Sequence, residues 1–252
     1  MANPTAITLH ESGAETATDT GDAEDLGATR SCLVLDLVVT AVAGTLPTLT
    51  VAVQTGPSET GPWRSGGAFS VVSATGKTTK TIAGLDRWVR LAWTIAGSAG
   101  QSFTFSVDGT AHTLYASPAD LTRTGVPEAA LTDITDETRA ECCLRASADA
   151  ETALNSSHEL PLTAWGEDLR GHTASRAVYY AMNHRGRKPG GTVDDLIDRM
   201  GGFDLGPGMK SAAQRYFDAV ANGTLKPHGI VDQTPDTFEG SGVVVSGTRR
   251  GW

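Results

Sequence analysis

The sequence predicts an α+β protein of two domains, an N-terminal antiparallel β-sandwich followed by an all-α helical domain, with an extended C-terminal arm. Three observations carry this. Residues 1 to 110 alternate apolar and polar side chains as strands do, whereas residues 117 to 223 repeat them at steps of three and four as helices do. The change of period falls at Tyr115-Ala116-Ser117-Pro118, where a serine before proline disfavours helix and the proline suits a first helical position. Beyond Lys226 the chain is too rich in Gly, Pro, Thr and Asp to build a core of its own. The expected divisions are residues 1–115, 116–225 and 226–252, and 252 residues at 39% apolar content suit two domains of ordinary size.

The chain opens on an expected strand at 6–9, followed by an acidic stretch, 11–29, read as a loop or mobile segment. The core strands are expected at 32–42, 46–55, 69–72, 78–82, 88–95 and 102–107, each short, rich in Val, Thr and aromatics, and bounded by Gly, Pro or Ser. Leu49, Val51 and Val53 then share the inner face, as do Val89, Leu91, Trp93 and Ile95. The turn from Gly56 to Trp63 is a polar hairpin tip closed by an aromatic. Trp63 either covers one end of the core or presents a ring to a sugar face.

A short helix is expected from Ser117 to about Gly125. The next begins at Thr135, whose side chain can cap it, with Asp136 and Glu137 at the positive end of the helix dipole, and ends near Asn155. Leu162, Trp165, Leu169, Thr173, Ala177 and Tyr180 make the stripe of the central helix, which Ala174, Val178, Ala181 and Met182 widen. Gly171 inside it suggests a close approach by another backbone, or a bend. Val193, Leu196, Ile197 and Met200 predict a further helix, and Met209 to Val220 a last one stopped by Asn222-Gly223.

The formal net charge is -9, with 10 acidic against 6 basic residues up to position 115 and 19 against 14 beyond it. An acidic chain lacks the concentrated basic surface that free nucleic-acid binding needs. Cys32, Cys142 and Cys143 are odd in number and poorly placed for a bridge or a metal, so all three are read as reduced. No basic leader with an apolar run opens the sequence, and no apolar run approaches the ~20 residues that span a bilayer. The expectation is synthesis and folding in a cytoplasm, with no membrane partner.

The chemical inventory contains no catalytic pairing. The six histidines, His10, His112, His158, His172, His184 and His228, are scattered singly, and no zinc, phosphate-loop or nucleophile-elbow motif occurs. His172 and His184 lie twelve residues apart on one helix with no third ligand in reach. Glu167 and Asp168 stand at a helix start, where carboxylates complement the dipole. No catalytic residue, metal or cofactor is therefore expected, and the protein is read as not an enzyme.

The segments Leu49-Thr-Val-Ala-Val-Gln54-Thr55, Trp63, Gly84 to Arg90 and Ser102 to Val107 resemble the small β-sandwich modules found in virion proteins of tailed phages. In the second half, Ser117-Pro-Ala-Asp-Leu121, Val126-Pro-Glu-Ala-Ala-Leu131, the capped helix from Thr135 to Leu154, Leu160-Pro161-Leu162 and the helix from Pro207 to Val220 resemble, in that order, the phage head-tail adaptor (connector) family, including the Mu-like head-completion proteins. The resemblance spans residues 117 to 252 and implies a structural neck protein of the virion. It implies a homo-oligomeric ring of about twelve subunits that binds the portal, meets the tail or a stopper protein, and leaves a channel for DNA. Many members lack an N-terminal sandwich, so here it is expected to decorate the outside of the ring and to be dispensable for joining. The alternative is a carbohydrate-binding or adhesive surface protein that works through the sandwich.

Two candidate sites follow. Arg185, Arg187 and Lys188, in a glycine-bearing loop after the central helix, either approach the DNA channel or complement the helix dipole. Val243, Val244 and Val245, with Arg249, Arg250 and Trp252, form an arm able to add a strand to a sheet edge on the portal or a neighbouring subunit.

Overall fold

A computed structural model describes residues 4–186, 198–202 and 210–231. Its fold class is α+β, antiparallel sheets followed by helices. Among the described residues nine strands form two antiparallel sheets: β1 (Thr5–Glu15), β2 (Asp19–Thr20), β3 (Glu24–Asp25), β4 (Cys32–Ala43), β5 (Thr48–Gly56), β6 (Arg64–Ala68), β7 (Gly76–Ala83), β8 (Trp88–Ala96) and β9 (Ser102–His112). The first sheet has the order β1-β9-β4-β7, and the second β2-β8-β5-β6 with β3 also on β8.

The alternation read from the sequence decides which side chains meet between the sheets. Leu33, Leu35, Leu37 and Val39 of β4 and Phe103, Phe105 and Val107 of β9 face Leu49, Val51 and Val53 of β5 and Val89, Leu91, Trp93 and Ile95 of β8, all buried. Each such aliphatic or aromatic side chain contributes roughly 1.5–3 kcal/mol on leaving water.

Two strand expectations are corrected. The acidic stretch is not a loop: β1 runs to Glu15, and β2 and β3 lie on β8, with Leu26 buried beside them. Its strand character was hidden because β1 is an outer strand with register shifts at Thr8–His10 and His10–Gly13, and outer strands carry charges. The strand expected at 69–72 lies earlier, at Arg64–Ala68, and Val72 keeps only an isolated bridge to Leu49.

The helical half begins with a 3₁₀ segment, Pro118–Thr124, in which Asp120 Oδ2 accepts from the Ser117 amide and hydroxyl, and continues through a second, Glu128–Ala130. The α-helices α1 (Asp136–Leu154), α2 (Glu167–His184) and α3 (Ala212–Ala221) follow. Thr135 Oγ1 accepts from the Thr138 amide and Ser211 Oγ from the Gln214 amide, so both helices start on the side chain their sequence supplies. Of the further predicted helix, residues 198–201 are helical, while Val193, Leu196 and Ile197 lie outside the described residues.

Gly171 does not receive the close approach expected of it, since a Cβ there would meet nothing within 4 Å. That approach falls on Gly201, where a Cβ would strike the Ser175 carbonyl of α2.

Two apolar clusters hold the helices. One gathers Leu121, Leu131, Ile134, Cys143, Ala146, Val178, Ala181 and Met182, and includes Leu114 and Cys32 of β4. The other joins Tyr115 to Leu154, Leu162, Leu169, Phe217 and Val220. Leu114 and Tyr115, placed in the first domain by the expected division at 115/116, thus lie in the helical core. The three cysteines are free and buried, and burial pushes the Cys32 thiol up to about 12.

Candidate functional site

At the centre of the helical half lies a buried arginine. Arg176 projects from α2 with no exposed surface. Its Nη2 donates to Gln214 Oε1 of α3 at 2.6 Å, and its Nε lies 3.8 Å from Asp149 Oδ2 of α1. The Tyr180 hydroxyl donates to the same Asp149 oxygen at 2.5 Å, and the Arg145 guanidinium lies 4.1 Å over the Tyr180 ring. Gln214 passes the chain on to Asp218, which pairs with Lys210 at 2.6 Å. Hydrogen bonding from Lys210 holds the Asp218 carboxyl below its ordinary range. Burial lowers the Arg176 pKa and raises that of Tyr180. This network fixes all three helices in one register, because each member's hydrogen bonds depend on the others' positions. The sequence carried a signal for it. Arg176 stands seven after Leu169, three after Thr173 and four before Tyr180, a charge inside the apolar stripe.

At the start of α2, Asp168 does more than face the dipole. Its Oδ2 accepts from the His228 amide at 3.0 Å and the Tyr216 hydroxyl at 3.1 Å. Burial pushes its pKa up, but the His228 and Leu169 amides and Tyr216 outweigh that and leave it below the ordinary value. Glu167 pairs with Arg170 one turn on. His172 stacks on Tyr216 with centroids 4.2 Å apart, and burial lowers its pKa. A cleft of about 480 Å³ opens here between Asp120, Arg123, Asp168, His172 and Met200. No group of three or more His, Cys, Asp or Glu able to hold a metal occurs among the described residues.

At the other end of α2, Arg185 is tied down. Its Nη1 donates to the Ala130 carbonyl at 2.8 Å and its Nη2 lies 3.2 Å from Asp133 Oδ2, clamping the end of α2 to the turn before α1. Arg187 and Lys188 lie outside the described residues, as do Val243, Val244, Val245, Arg249, Arg250 and Trp252 of the arm. The structure therefore does not bring the two candidate sites together or apart.

Trp63 lies against the outer face of the second sheet, where Gly56 leaves room for the indole: a Cβ on Gly56 would come 3.3 Å from the ring. The Arg90 guanidinium covers the ring at 4.4 Å and is held by Gln54 at 2.7 Å. One face of the ring is thus covered by a side chain of the same protein, as the structural reading of Trp63 expects.

Fold and site together define a β-sandwich joined to a small helical bundle locked by a polar network. No family model matches the chain, and no curated protein matches it. Among solved structures, the chain is similar to PirA at 17% identity, covering 43% of this chain and 92% of that one, with a TM-score of 0.27. It is similar also to the SPBc2 prophage-derived protein YomS at 16% identity, covering 43% and 95%, with a TM-score of 0.26. The second of these is of prophage origin by its name. No helix among the described residues is long and apolar enough to cross a membrane.

Proposed function

We propose that the chain is a structural virion protein of a tailed phage. It forms a head-tail adaptor ring that joins the portal to the tail, leaves a channel for DNA, and carries the sandwich on its outside. It works by assembly, without catalysis or a cofactor. The observation that supports this reading is the order of the helical half: a capped 3₁₀ segment, a second short one, a Thr135-capped helix, a Leu-Pro-Leu corner, a central helix and a last short helix follow one another as the family resemblance implies. The network around Arg176 adds a rigid unit of the kind a ring must repeat without distortion. In this reading Arg185, Arg187 and Lys188 supply the charge near the DNA, Arg185 being paired also with Asp133.

The test is electron microscopy of the purified protein together with binding to portal-bearing capsids emptied of their neck proteins. Closed rings that seat on the portal vertex are the expected result. A protein that stays monomeric and leaves the capsids bare would overturn the proposal.

A further inference from the structure

One outer strand of each sheet, β6 and β7, borders a cleft of about 500 Å³ that is lined on a third side by the start of the helical half. Gly66, Gly67 and Ala68 line one wall, Ile82 and Pro118 contribute apolar surface, and Asp136 stands at the margin. Among the described residues no strand pairs with the free side of either β6 or β7. The β7 side is met at one point, where the Thr81 amide donates to Glu137 Oε1 at 3.3 Å. An unpaired row of backbone donors and acceptors beside an apolar cleft is a seat for an extended segment, and glycines along it let β-branched side chains come close.

We propose that this cleft receives the arm of the same chain, with Val243–Val245 adding a strand to β6 and keeping the arm on its own subunit until a partner takes it. Gly242 to Ser246 matches the five residues of β6 in number. Reach also permits it. Val231 bridges to Ala164, the neighbouring Trp165 donates through Nε1 to the Tyr115 carbonyl at 3.0 Å, and Pro118 is three residues further on. Along that path Val231 lies no more than about 30 Å from the cleft, and the twelve steps from Val231 to Val243 extend to about 40 Å. Charge agrees. Asp136 is exposed and has no ion-pair partner among the described residues, and the arm brings Arg249 and Arg250 past its valines. This inference does not depend on what the assembled protein joins.

Hydrogen exchange of the full chain, read by mass spectrometry over residues 64–68, tests it against a chain lacking residues 241–252 and against full-length Val244→Asp. Both variants are expected to exchange about tenfold faster there. Added synthetic peptide of residues 240–252 should restore protection to the shortened chain. Equal exchange in all three proteins overturns the proposal. Protection that vanishes on dilution of the intact protein overturns the assignment to the same chain.

Discussion

Arg176 is the residue on which most of the helical half turns, because a guanidinium without solvent depends on protein partners, Gln214, Asp149 and the Phe217 ring among them. Arg176→Ala should destabilise the protein by about 3–5 kcal/mol in chemical denaturation, the usual cost of leaving a buried charge network without one partner. Arg170→Ala, which removes an ion pair whose glutamate is 79% exposed, should cost less than about 1 kcal/mol. Similar losses for the two would mean that the network contributes nothing beyond a surface pair. His172 and His112 give a second handle, since burial lowers both below the ordinary 6.5. The unfolded chain then binds more protons near that value, so their contribution is fully present above about pH 6.5 and is lost as the pH falls through the lowered folded values. The thermal midpoint should fall between about pH 7.5 and about pH 5.5. His172→Phe, which keeps a ring on Tyr216 and removes the titration beside Asp168, should flatten that fall; an unchanged slope would assign it to His112 or elsewhere.

At the scale of elements, the helix starts at Ser117 and Thr135 were legible, while the starts of α2 and α3 and the outer strands were not. Thr135 and Ser117 each sit where their side chains satisfy a first-turn amide or brace the turn, which local sequence dictates without reference to the rest of the fold. β1 beyond Leu9, β2 and β3 were hidden because a strand at a sheet margin buries few side chains and so loses its alternation. The Arg176 network escaped for another reason. Its members come from α1, α2 and α3, and the sequence gives no distance between helices. The junction of β7 and α1 is a further contact of this kind, with Glu137 accepting from the Thr81 amide and lying 3.4 Å from Lys80 Nζ. Glu137→Ala should cost about 1 kcal/mol, since the carboxylate is partly solvated, and should speed exchange of the Thr81 amide. Retained protection at Thr81 would show that the outer strand is covered by something other than α1.

For the whole molecule, the period change near residue 115 separates a sandwich with its own core from the helices, and a few side chains cross that boundary. Cys32 of β4 lies in the cluster with Leu121, Cys143 and Val178, and Ala83 of β7 packs against it. Tyr115 is held on three sides: its amide donates to Ser147 Oγ at 3.1 Å, its carbonyl accepts from Trp165 Nε1, and its ring meets that indole edge-on at 5.0 Å. A chain beginning at Ala116 therefore lacks the side chains of Cys32, Leu114 and Tyr115 from its interior, and burial of Leu114 alone is worth on the order of 1.5–3 kcal/mol. It also leaves Ser147 and Trp165 without their partners. Domains of this size are stable by only about 5–15 kcal/mol, so such a loss is a large fraction of the whole. These crossing contacts put the independence expected from the sequence to a direct test. Residues 116–252 alone should show residual helix by circular dichroism but no cooperative thermal transition. A chain ending at Thr113 should melt cooperatively, because the sandwich keeps every residue of its own cluster, from Leu9 to Ala111. A sharp transition in the helical fragment, close in midpoint to that of the full chain, would show that the contacts of Cys32, Leu114 and Tyr115 are incidental, and the sandwich could then be removed from an assembling ring without loss.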